Sequence, residues 1–170
     1  MAFIEKFLGK RVEIPEDRRY YAKQGLWAKL DGQEIVFGLS EPALVLMGGL
    51  NDLDWLINQG DTVEKGEAVL FAITGKILYL DAPVGGDIHF NPEVKHDSTL
   101  VLKDPYNRGW LFKIIPNEDA EQELNRLANG PEYAKSLKTT EGGKNPEGLK
   151  GGVSGICKAV YTGIQEQKLY

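Results

Sequence analysis

The residue best placed to do chemistry in this sequence is Lys76. It stands in LFAITGKILYLDAPVGG, residues 70–86, between the apolar run Leu70–Ile73 and a second run, Ile77–Leu80. The intervening Thr74-Gly75-Lys76 predicts a β-hairpin, because glycine enters turn conformations of positive φ without steric cost. Thr74-Gly75 is expected to form the turn, with Lys76 exposed beside the tip. A primary amine there can serve as a handle for covalent attachment, and the same position suits a lysine that only aids solubility.

The other reactive side chains do not gather. His89 and His96 stand seven positions apart, and neither belongs to a metal-spaced motif. His89 alternates with Ile88 and Phe90 and is expected to face solvent; His96, in EVKHDS, reads as a loop residue. Cys157 is the one cysteine, and in a helical pattern it reads as a small buried hydrophobe. Asp52 and Asp54 read as solvated carboxylates. GGVSG near the end lacks the lysine and the strand-to-helix context of a phosphate loop. Without an acid–base, nucleophile or metal constellation, the chain reads as a carrier or binding module and not as an enzyme.

The whole chain agrees. Its 170 residues are 42% hydrophobic and 26% charged, enough to bury a core in one domain. A net charge of −5 and a pI near 5.1 argue against a nucleic-acid partner and against an anionic membrane surface. No apolar run approaches the roughly 20 residues of a membrane span. The opening MAFIEKFLGKRVEIPEDRRYY has no continuous apolar core segment and does not read as a secretory signal. A single cysteine forms no internal disulfide, which fits a reducing compartment, and the expected location is cytoplasmic.

The elements that must position Lys76 are short. From Tyr20 to Ile115 the runs GLWAKL, EIVFGL, DTVEKGEAVLFAI, KILYLDAPV, GDIHF, STLVL and GWLFKII predict strands separated by glycine turns. Ala43–Met47 predicts one helical turn ended by Gly48. Residues 1–19 read as a lead-in with a short helical stub at Phe3, Phe7 and Leu8. After Ile115 the period changes: AEQELNRLANG predicts a helix closed by Gly130, and PEYAKSLK a second. Residues 139–152 read as a glycine-rich flexible linker. In residues 153–170, Ile156, Val160 and Ile164 form one apolar stripe, which predicts an amphipathic segment that docks on a surface. Trp27 and Trp110 are expected in the core.

Several stretches, in order, resemble the H protein of the glycine cleavage system, from about Ile14 to Leu137. Ile14-Pro15-Glu16-Asp17 running to Tyr21 and Trp27 is similar to that family's opening. Gly38-Leu39-Ser40, Gly60-Asp61-Thr62-Val63-Glu64-Lys65-Gly66-Glu67 and Ala82-Pro83-Val84-Gly85-Gly86 resemble its turns. Asp104-Pro105-Tyr106 with Gly109-Trp110-Leu111 resembles its last signature.

The resemblance implies a mostly β fold, a flattened β-hammerhead or barrel-sandwich hybrid of lipoyl-domain type with peripheral C-terminal helices, occupying residues 20–138. It implies lipoate as cofactor, Lys76 as its attachment residue, and lipoate-dependent partners of decarboxylase, aminomethyltransferase and dihydrolipoyl dehydrogenase type. The alternative is a module of the same fold that binds partners without an arm. One register difference stands out. The family places its lysine eight residues before the proline of the Pro-Val turn, within Glu-Ser-x-Lys-Ala, whereas Lys76 precedes Pro83 by seven and Gly75 occupies the family position. Ile73, or Ala72 if counted in the family's register, stands where the upstream glutamate would be, and Gly25-Leu26 replaces the His-Glu before the tryptophan. Lys76 is therefore expected to be a slower substrate for lipoylation than a lysine in the usual register.

Overall fold

Three antiparallel sheets form the frame of residues 2–149, the part of the chain that this computed structural model describes. β1 (Ala2–Phe7) and β2 (Lys10–Ile14) form a hairpin of their own. β3 (Arg19–Tyr21), β4 (Leu26–Asp31), β5 (Glu34–Leu39), β7 (Thr62–Val63), β10 (Gly86–Phe90) and β11 (Phe112–Pro116) form a six-stranded sheet in the order β3-β4-β5-β11-β10-β7. β6 (Asp52–Trp55), β8 (Ala68–Ile73) and β9 (Ile77–Asp81) form a third, with β8 in its centre. Helices α1 (Glu41–Met47), α2 (Pro92–His96) and α3 (Thr99–Lys103) interrupt the strands. α4 (Ala120–Asn125), α5 (Gly130–Ser136), a 3-10 turn at Leu137–Thr139 and α6 (Glu141–Lys144) follow them. The expected mostly β fold with outer helices is what forms, and its sheets do not close into a barrel.

Alternation builds the larger core. Along β10, Gly86, Ile88 and Phe90 are buried while Asp87 and His89 are exposed, the period of two that a half-buried strand requires. Ile88 meets Ile114, and Phe90 meets Phe112, across the β10–β11 ladder. Phe112 in turn opposes Phe37 of β5, with ring centroids 5.2 Å apart. A second core gathers Phe7, Val12, Ile14, Tyr20, Trp27, Tyr106, Tyr133 and Leu137. Here Tyr20 and Tyr133 stack at 4.6 Å. Trp27 donates its indole N–H to the Pro105 carbonyl at 2.9 Å and lies flat on Gly38, where a Cβ would come within 2.6 Å of the ring.

Several sequence expectations are corrected. The lead-in holds no helical stub: Ala2–Ile14 pair as a ladder closed by Leu8 and Gly9, whose φ of 51° and 77° suit a two-residue hairpin turn. STLVL is not a strand. Asp97 accepts the Thr99 N–H at 3.1 Å, the chain turns into α3, and only Val101 of that helix is buried. His96 ends α2 and is not in a loop, though it is exposed. Gly130 does not close α4, which stops at Asn125; it opens α5, where Asn129 and Glu132 cap each other reciprocally. Trp110 is only half-buried, in the connection before β11, with the Lys113 ammonium 4.9 Å from its ring. The first part of the expected linker is helical, because Gly142 of α6 sits directly on the Phe7 ring. The predicted amphipathic segment and Cys157 lie outside the described residues.

Candidate functional site

Lys76 ends the loop Thr74-Gly75-Lys76 that joins β8 to β9. The two strands pair Ile73 with Ile77, Ala72 with Leu78, Phe71 with Tyr79 and Leu70 with Leu80. Ala72, Leu70 and Leu80 are buried and anchor one face of this finger, while Ile77 and Tyr79 are more than half exposed on the other. Thr74 is the inner corner of the loop, only 7% exposed. Its N–H donates to the Lys76 carbonyl at 2.9 Å, which folds the loop back on itself. Gly75 and Lys76 stand in solvent.

Lys76 is thus exposed where the sequence predicts, but the turn is made differently. Thr74-Gly75 alone do not form it; all three residues do, and Gly75 does not take a left-handed φ. Glycine is therefore not required there by the backbone, and a Cβ on Gly75 would meet nothing within 4 Å. A side chain in the family's lysine register has room.

The finger is braced on both sides. After α1, Gly48 and Gly49 take φ of 76° and 100° and return the chain towards β6, a cap that only glycine makes without strain. This delivers Asn51, whose backbone N–H donates to the Ile73 carbonyl at 2.8 Å and whose side-chain amide donates to the Thr74 carbonyl at 2.7 Å. On the outer edge of β9, Gln24 acts as a short false strand. Its amide donates to the Tyr79 carbonyl at 3.1 Å and accepts the Asp81 N–H at 2.8 Å. Lys23 adds an ion pair with Asp81 at 3.7 Å. Such bonds satisfy edge groups that would otherwise be open to strand addition.

Between this finger and α1, α5 lies a cleft of about 500 Å³ with Lys76 and Leu78 on one wall. Tyr133, Ala43 and Gly25 line it from the body. Gly25 has φ +70°, and a Cβ there would fall 2.6 Å from that of Ala43 and 2.8 Å from the Tyr133 hydroxyl. The glycine that replaces the family's histidine is therefore imposed by this packing. The Tyr133 hydroxyl bonds Ser40 Oγ at 2.7 Å, and burial pushes its pKa well above the ordinary tyrosine value. Among the described residues the Lys76 ammonium has no ion-pair partner, and the residue is exposed.

The remaining candidates stay apart. His89 faces solvent on β10, Asp54 pairs with Lys95 at 3.0 Å, and no group of His, Cys, Asp and Glu able to hold a metal occurs among the described residues. No helix there is long and apolar enough to cross a membrane. The sequence marks Thr74 as part of the turn but does not single out Asn51 or Gln24. Asn51 just beyond Gly48-Gly49 was the one hint, since asparagine after a glycine turn often bonds backbone.

Comparison with known proteins identifies relatives of the chain. The model of the glycine cleavage H-protein family matches residues 19–140. A probable glycine cleavage system H protein 2 of Sulfurisphaera tokodaii is 35% identical over 130 residues, covering 74% of this chain and 86% of that protein. A glycine cleavage system H protein of Thermus thermophilus is 32% identical over 130 residues, covering 75% and 98%. The crystal structure of a glycine cleavage system H protein from Mycobacterium marinum superposes with a TM-score of 0.61 at 28% identity, covering 72% of this chain and 97% of that one.

Proposed function

The chain belongs to the glycine cleavage H-protein family, a family of carrier proteins, and from that premise we propose that it carries a lipoyl arm on Lys76. The observation that supports this most is the exposed Lys76 at the end of a finger braced by Asn51 and Gln24. The residues fit such a group. An amide bond to Nζ needs an accessible amine, and Lys76 and Gly75 are both exposed.

When bound, the group would supply a dithiolane able to accept and release a carried fragment. The chain's own share is positional. β8 and β9 hold the attachment point, Thr74 fixes the loop, and the cleft beside Leu78 and Tyr133 offers a partly apolar shelter on the body. A tether raises the effective concentration of its cargo at each partner's site, provided its base is fixed. The partners that suit such an arm are lipoate-dependent enzymes of decarboxylase, aminomethyltransferase and dihydrolipoyl dehydrogenase type. A second function, docking without an arm, draws on the apolar, exposed Ile77 and Tyr79 beside the tip.

Incubation of the purified chain with lipoate, ATP and a lipoate ligase separates the two. Intact mass should show one adduct, absent in Lys76→Arg. An unmodified wild type would favour the armless module, and an adduct that persists in Lys76→Arg would place the arm elsewhere.

A further inference from the structure

Two pieces of the chain outside the family-matched residues 19–140 fold against each other. The β1–β2 hairpin precedes the match and α6 follows it. Gly142 of α6 lies so close to Phe7 that a Cβ would come within 2.3 Å of the ring, and the Pro146 carbonyl accepts the Gly9 N–H at 2.7 Å. Lys6 and Glu147 pair at 2.9 Å. These additions form one wall of a groove of about 530 Å³ whose other wall is α5. Ile4 and Phe7 line it from the hairpin, Ala134 and Leu137 from α5 and the turn after it.

We propose that this groove is the docking site of the chain's own residues 153–170, seated as an amphipathic helix with Ile156, Val160 and Ile164 on its apolar walls. Three observations carry the assignment. Those residues recur every four positions, so in a helix they make one stripe that needs a cover. The chain is delivered to the groove's rim, because Glu147 is bound to Lys6, which itself lines the groove. From Leu149, 72% exposed, to Ile156 is seven residues, which span roughly 23 Å at full extension. The groove is then within reach of the same molecule, at a high effective concentration. A neighbouring hollow between β2 and α1 sets Val12, Leu44, Val45 and Leu102 among Lys10, Arg11 and Glu41; the groove, although Lys6, Lys135 and Lys138 also line it, has the more apolar surface. Gly155 and Gly163 lower intrinsic helicity, so the helix depends on the surface it meets.

Cys157, the one natural cysteine, allows a direct test in the full chain. Lys135→Cys, with Lys138→Cys as a second rim position, places a thiol beside the groove; Gln33→Cys, in the β4–β5 turn, is the control. Under mild copper-phenanthroline oxidation at low micromolar protein, the rim variants should form an intramolecular disulfide with Cys157 at least about tenfold faster than the control. Adding Val160→Asp should abolish that preference without altering the melting of the body. Equal rates at rim and control would overturn the proposal. So would disulfides that are only intermolecular and grow with concentration, which would assign the groove to a second copy, or a preference that survives Val160→Asp.

Discussion

Asn51 and Thr74 are joined by a 2.7 Å hydrogen bond from the asparagine amide to the threonine carbonyl, and this bond fixes the loop that displays Lys76. The Asn51 backbone binds Ile73 beside it at 2.8 Å. The residue just before β6 therefore sets where the β8–β9 tip of the same sheet stands.

Asn51→Ala should raise hydrogen exchange at Ile73–Ile77 and lower global stability by about 1 kcal/mol, the usual net loss for one hydrogen bond. Gln24→Ala should do the same along Tyr79–Asp81, where two bonds are lost. Exchange unchanged in both variants would show that the finger is rigid without these braces.

The indoles should behave differently. Trp27 is 2% exposed, bonded to Pro105 and packed on Gly38, so Trp27→Ala should cost about 3–5 kcal/mol in urea unfolding. Trp110 is half-buried and should cost clearly less. Equal losses would mean that Trp110 belongs to the core after all.

Stability should fall at alkaline pH. Burial raises the pKa of Tyr20, Tyr106 and Tyr133 above the ordinary tyrosine value of about 10. The folded state then holds protons that the unfolded chain releases. Their contribution is fully present below about pH 10 and is lost as pH rises towards the folded values, at up to about 1.4 kcal/mol per pH unit for each tyrosine. Urea midpoints that stay level from pH 9 to 11 would refute it. Tyr133→Phe should flatten the decline.

The swap Gly75→Lys with Lys76→Gly moves the amine to the register the family uses. Because Gly75 has no left-handed φ and open space above it, the variant should fold with an unchanged melting temperature. Ligase modification should then be several-fold faster than in the wild type. Equal rates would show that the one-residue difference is without consequence.

What was legible in the sequence follows from which forces are local. The strands β4, β5, β8 and β10 carry alternating or continuous apolar runs between glycine turns, and these set their identity. The Gly48 cap and the exposed Lys76 were readable for the same reason. STLVL misled because its apolar residues suit a strand, while the choice of helix is made by the Asp97 side chain just before it. The β1–β2 hairpin was hidden because its partners, Tyr133, Leu137 and α6, come from the far end of the chain. The braces at Asn51 and Gln24 are long-range polar bonds that no period announces. The need for glycine at Gly25 arises from Ala43 and Tyr133, distant in sequence.

The claim that Lys76 bears the arm is tested most directly by tryptic mapping of the full chain produced with lipoate available. Trypsin does not cut after an acylated lysine. The predicted result is a peptide that reads through Lys76 and carries one lipoyl adduct, with cleavage at the neighbouring Lys65 retained. Complete cleavage after Lys76, with every peptide at its unmodified mass, would contradict it.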